Sequence, residues 1–112
     1  MIKLWIVLIV FLFGSLQSVA QSDTITIKTS AQCEMCKKTI EHELNFAKGI
    51  KSAVLDVETK EVVIIYNAKK TDVNELRKVI SNVGYDADAL PANPKAYDKL
   101  HECCKKDGHS HD

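Results

Sequence analysis

The hydrophobic period of this chain switches repeatedly between residues 24 and 90, and that succession limits the fold more than any single residue does. Thr24-Ile25-Thr26-Ile27 alternates, which predicts a strand over residues 23–30 with Ile25 and Ile27 on its buried face. Cys36, Ile40, Leu44 and Ala47 then share one helical face, giving a helix to about Lys48 that Gly49 stops. Ile50 to Val57 alternates again, with Ala53, Leu55 and Val57 inward and Val54 outward, and Glu58-Thr59-Lys60 has the polarity of a hairpin tip. Glu61 to Tyr66 forms the next strand, apolar on both faces from Val62 to Ile65. Asp72, with Glu75 three residues on, opens a second helix whose stripe is Val73, Leu76, Ile80 and Val83. Gly84 closes it, and Tyr85 to Leu90 reads as a short last strand.

The order is β-α-β-β-α-β, an α+β arrangement of the ferredoxin-like kind. It predicts a four-stranded antiparallel sheet with two helices on one face. With 112 residues, 46% hydrophobic and 27% charged, the chain has room for one small domain. Fifteen basic and fifteen acidic residues cancel, so no basic field marks nucleic acid as a partner.

Residues 1–20 stand apart. Lys3 precedes the apolar run Leu4 to Phe13, and small residues at Ser18 and Ala20 suit cleavage before Gln21. The run is shorter than the roughly 20 residues of a spanning helix, so a signal peptide fits better than an uncleaved membrane anchor. The expected layout is a signal peptide over 1–20, a domain over 21–90 and a tail over 91–112, in a periplasmic or secreted protein.

Export bears on the four cysteines, Cys33, Cys36, Cys103 and Cys104. As structural disulfides they would have to pair between the two ends of the chain. A vicinal bridge is strained, and one between Cys33 and Cys36 closes almost no loop. Cys33 and Cys36 fall in a turn at a helix N-terminus, where free N–H groups and the helix dipole favour thiolate. Two thiolates there either grip a soft metal ion or cycle through a disulfide. A pair suits near-linear Cu(I) first and Hg(II) next, whereas Zn(II) would need further ligands. The redox alternative calls for a thioredoxin-type core with its cis-proline, yet Pro91 and Pro94 come only after the last strand. Met35 and His42 read as packing and surface residues. Tyr85 is balanced between a core aromatic and a residue that shapes the site.

Residues 24–90 resemble a heavy-metal-associated domain, the family of copper chaperones, metal-pump N-terminal modules and periplasmic mercury-binding proteins. The matching pieces are Cys33-x-x-Cys36 opening the first helix, Gly49-Ile50 before the second strand and Gly84-Tyr85 before the last. Ser30-Ala31-Gln32 departs from the Gly-Met-x that usually precedes the first cysteine of the family. The resemblance implies that Cys33 and Cys36 bind a soft metal ion and that Tyr85 packs beside them. The protein is then expected to be an exported, non-enzymatic carrier of a heavy-metal ion. Its partner would be a metal-transporting membrane protein or another Cys-x-x-Cys domain. A thiol-disulfide protein and a metal-responsive adaptor of a membrane transporter are the alternatives.

The tail lies beyond the resemblance. Asn93-Pro94 is a helix start, and Tyr97, Leu100 and Cys104 share a face of the helix it would open. Cys103, Cys104, His109 and His111 are metal-binding donors, set against the plainer reading of a disordered end. The last strand should carry the chain roughly 17–20 Å away from the cysteine turn. A helix from Pro94 to Cys104, about 16 Å long, could bring it back. Four thiols would then converge, which suits Zn(II) or a small Cu(I) cluster. Val54 and one of the pairs Val62/Ile64 or Val63/Ile65 must face outward, so a cover is expected over that side. The candidates are the tail, through Tyr97 and Leu100, or a second copy of the chain.

Overall fold

The computed structural model describes residues 22–105. The proposed signal peptide, His109 and His111 lie outside them. β1 (Ser22–Lys28) and β2 (Ile50–Asp56) flank β3 (Glu61–Asn67) in an antiparallel sheet of order β1-β3-β2. The pairing sets inward side chains in rows across the strands: Ile27, Val62 and Leu55 in one, Ile25, Ile64 and Ala53 in the next. α1 (Glu34–Asn45) lays Cys36, Ile40 and Leu44 into the same buried cluster, and α2 (Val73–Asn82) adds Leu76 and Ile80. Asp72 caps α2 by accepting the backbone N–H of Glu75 at 2.9 Å.

The end of the first helix differs from expectation. α1 ends at Asn45, not near Lys48. Ala47 N–H bonds to Leu44 at 3.0 Å, which tightens the last turn and takes Ala47 off the stripe. Gly49, at φ +82°, serves the turn into β2 instead of capping the helix.

The predicted fourth strand is reduced to a single bridge between Thr29 and Ala87, which leaves a three-stranded sheet. The cause is Asp88. Its backbone sits at φ 53°, and its N–H donates to the Lys28 carbonyl at 2.8 Å. One carboxylate oxygen accepts the Lys28 N–H at 2.9 Å, and the other accepts Arg77 Nε at 2.9 Å. Ala87 and Leu90 then bond to each other in both directions, at 2.9 and 3.0 Å, and close a reversal where the strand should have run on.

The tail is not one helix. α3 (Pro94–Asp98) starts on an Asn93 cap and gives way, past an extended His101, to a 3-10 turn over Glu102–Cys104. Because the chain reverses at Asp88, a shorter return suffices. Asn93 N–H reaches Ser81 at 2.9 Å, and Ala96 lies directly against Gly84. A Cβ on Gly84, whose φ is +103°, would stand 3.0 Å from the Ala96 carbonyl carbon and oxygen. The tail thus packs at the end of α2 and leaves the outer sheet face open, with Val54 60% and Val63 43% exposed. That corrects the expectation of the tail as cover.

Asp88→Ala should lower stability by about 1–2 kcal/mol, since it removes charge-assisted hydrogen bonds at a partly exposed site. Asp88→Asn should recover most of the loss, because Asn tolerates positive φ and keeps an acceptor for Lys28. Denaturant unfolding of the three proteins measures this; equal midpoints for Asp88→Ala and the parent would refute it.

Candidate metal centre

The segment that carries Cys33 is held from both sides. Thr29 donates to the Lys60 carbonyl through its N–H and its hydroxyl, each at 2.8 Å, and accepts the Ala31 N–H at 3.2 Å. Ser30 Oγ accepts the Asp86 N–H at 2.8 Å. Thr29, Ser30 and Ala31 are all buried, and small residues are what this depth admits. Cys33 follows as the extended N-cap of α1, its carbonyl accepting the Lys37 N–H at 3.0 Å. Cys36, one turn on, faces the core and is fully buried, while Cys33 is half-buried.

The 3-10 turn of the tail sets Cys103 and Cys104 against this pair. Cys33 Sγ lies 3.3 Å from Cys36 Sγ, 3.4 Å from Cys103 Sγ and 3.7 Å from Cys104 Sγ. Cys103 and Cys104 are 3.8 Å apart. All four are free thiols, since a disulfide would hold its sulfurs at about 2.05 Å. The tail thiols thus come back to the Cys33 end of the domain, by a turn and not by a long helix, and Cys33 is the sulfur they stand against. Cys104 is buried within the core cluster, and Cys103 packs at its edge. Among the described residues, Cys33, Cys103 and Cys104 form a group whose ligand atoms lie within 4.8 Å of one another.

Tyr85 completes the floor. Its ring is buried and its hydroxyl hydrogen-bonds Cys36 and Cys104. Burial, and then these two bonds, push its pKa far above the usual tyrosine value, so it stays a neutral donor. Tyr85 is thus both a core aromatic and a residue that shapes the site. Ser30 and Asp88 help place the segments that carry the cysteines; the sequence marked Ser30 only as part of a departure from the motif before Cys33, and Asp88 not at all. A signal for the second was there: Asp and Ala alternate from Asp86 to Ala89, residues that strands disfavour. Met35 is 45% exposed, and His42 lies on the surface against the Phe46 ring.

The four sulfurs do not titrate alike. Burial opposes a charge on Cys33, but the Cys36 N–H and the thiols of Cys36, Cys103 and Cys104 outweigh it and lower its pKa to about 7. Cys104 is driven well above its ordinary value, first by burial and then by its bond to Cys36. Cys103 is also raised, mainly by its bond to Cys33. Cys33 is the sulfur most ready to carry a charge, and Cys103 and Cys104 are held toward the thiol form. A thiophilic ion entering here would displace those protons.

Residues 26–86 match the heavy-metal-associated domain. The chain belongs to that family. Among its relatives is a copper-exporting P-type ATPase of Staphylococcus saprophyticus, 35% identical over 75 residues, which are 67% of this chain and 9% of the ATPase. The periplasmic component of a mercuric transport protein from Shewanella putrefaciens is 29% identical over 76 residues and is covered over 84% of its length. Of solved structures, a CopZ metallochaperone superposes with a TM-score of 0.57 at 27% identity, over 58% of this chain and 98% of its own. Oxidized MerP from Ralstonia metallidurans shares the fold, with a TM-score of 0.57 over 59% of this chain and 93% of MerP. The match ends at Asp86, and the tail that supplies Cys103 and Cys104 lies beyond it.

Cys33 should alkylate much faster than Cys36 in the reduced protein, because it is more exposed and its thiolate is the favoured one. Its rate should rise with pH to a plateau, half-maximal near 7, since only the deprotonated sulfur reacts. Iodoacetamide labelling read by peptide mass spectrometry across pH measures both; equal rates at the two cysteines would refute the assignment.

Proposed function

We propose that this protein is an exported carrier of a soft heavy-metal ion, Cu(I) before Hg(II) or Zn(II), with no catalytic role. The observation that carries the reading is the thiol pair Cys33 and Cys36, 3.3 Å apart where α1 begins, in a chain of the heavy-metal-associated family. Cys33, already inclined to be thiolate, makes the first bond to an incoming ion, and Cys36 closes the pair as its proton leaves. Release runs in reverse. A thiolate of a second Cys-x-x-Cys domain or of a metal-transporting membrane protein bonds to the ion, giving a three-coordinate intermediate. The Cys33 and Cys36 bonds then break in turn, Cys36 takes back its proton, and Cys33 is left as the thiolate it was. The names of the copper-exporting ATPase, the metallochaperone and the mercuric transport protein support this class of cargo and partner. The run Leu4 to Phe13 with Ser18 and Ala20 supports a periplasmic or secreted location.

A second reading, thiol-disulfide exchange, is favoured by the low pKa of Cys33 and the neighbouring sulfurs within 3.7 Å. Turnover of a model disulfide in glutathione buffer would establish it in place of the carrier.

Replacing both Cys33 and Cys36 by Ser should abolish tight Cu(I) binding and leave the fold intact. Cu(I) titration against a chromogenic chelator, with circular dichroism as control, measures this. Unchanged affinity in a folded double variant would refute the reading.

A further inference from the structure

We infer that the tail is a thiol-bearing strap, and that Cys103 and Cys104 bind the cargo ion together with Cys33 and Cys36 in one closed site. The inference rests on the carrier reading and adds to it a ligand set and a control over release. The family match ends at residue 86, so the domain by itself brings two sulfurs to an ion. This chain brings four. Cys33 Sγ stands 3.3, 3.4 and 3.7 Å from the other three sulfurs, and Cys103 stands 3.8 Å from Cys104, close to what one thiophilic ion imposes: bonds of about 2.3 Å at tetrahedral angles place sulfurs about 3.8 Å apart. Cys33, Cys103 and Cys104 already form a three-sulfur group, and Cys36 has to move toward the tail sulfurs to add the fourth bond.

The strap's attachment suits a part that comes and goes. Pro91 to Asn93 is fastened to the body, with the Ser81 hydroxyl donating to the Pro91 carbonyl at 2.8 Å and Asn93 N–H reaching Ser81. Beyond it, among the described residues, the backbone hydrogen bonds of residues 94–105 run within the tail itself. What seats the strap is packing and thiol contacts: Ala96 on Gly84, Leu100 at the core edge, Cys104 beside Tyr85 and Cys36, and both tail sulfurs against Cys33 Sγ. The tail sulfurs also stand beside Cys33, the more exposed of the paired cysteines, where a partner's thiolate would have to approach.

Closing the site forms bonds from the ion to Cys103 and Cys104 as their protons pass to solvent. Opening breaks those bonds and returns the protons, and the vacated positions accept the partner's thiolates. The tail therefore raises retention of the ion and yields only to a ligand that replaces it.

X-ray absorption of the reduced, Cu(I)-loaded full chain should give three or four sulfurs around copper, falling to two in Cys103→Ser/Cys104→Ser. Because the tail thiols are tethered beside the ion, their loss should weaken Cu(I) affinity by about a hundredfold or more, and copper should pass correspondingly faster to excess chelator. Cys103→Ser alone leaves buried Cys104 in place, guards against a misfolded double variant, and should remove one sulfur. Two-sulfur coordination in the parent, or unchanged coordination and affinity in both variants, would overturn the strap and leave the carrier reading standing. A parent chain that binds no copper through sulfur would overturn the carrier reading and the strap with it.

Discussion

The arrangement depends on the reversal at Asp88. A strand running on from Tyr85 would deliver the tail to the far end of the sheet. Asp88 prevents this by holding β1 through both backbone groups of Lys28 and α2 through Arg77, with its own backbone in the left-handed region. The chain turns within a few residues of Tyr85 and comes back over the end of α2. The missing fourth strand and the convergence of four sulfurs are one event seen from two sides.

Local and distant contributions meet at Cys33. The helix start provides a half-buried sulfur with the Cys36 N–H against it, an arrangement available to any cysteine in an N-terminal turn. The tail adds two sulfurs from seventy residues away, and their S–H groups stabilise the same charge. Tyr85 stays a neutral hydroxyl beside Cys36 and Cys104. Burial makes a group of like charges costly, and a bound cation would offset that cost.

Much of this was legible in the chain. Alternation located all three strands of the sheet, and the stripes through Cys36–Ile40–Leu44 and Leu76–Ile80 located both long helices, because burial on one face imposes those periods. The glycines marked turns, though Gly49 lies beyond the true end of α1, which tightens before reaching it. Length and alternation alone favoured a strand over residues 85–90. What overrode them was the hold of Asp88 on Lys28, sixty residues away, with a turn whose Asp and Ala content was its one local sign. The tail thiols could be suspected from composition and the order of elements, but their distance from Cys33 is a property of the assembled fold. The open outer face was also foreseeable, from the both-sided apolar run in β3. What lies over it was not, since the tail is steered elsewhere.

Gly84 shows how close a fit seats the tail. With no side chain it lets the Ala96 backbone close in, and a single methyl group in that place would meet the Ala96 carbonyl at 3.0 Å. The seating of the tail beside the sulfurs is then adjustable by a residue that touches none of them. A side chain at position 84 would move Cys103 and Cys104 as a unit, since Ala96 lies on the segment that leads to both.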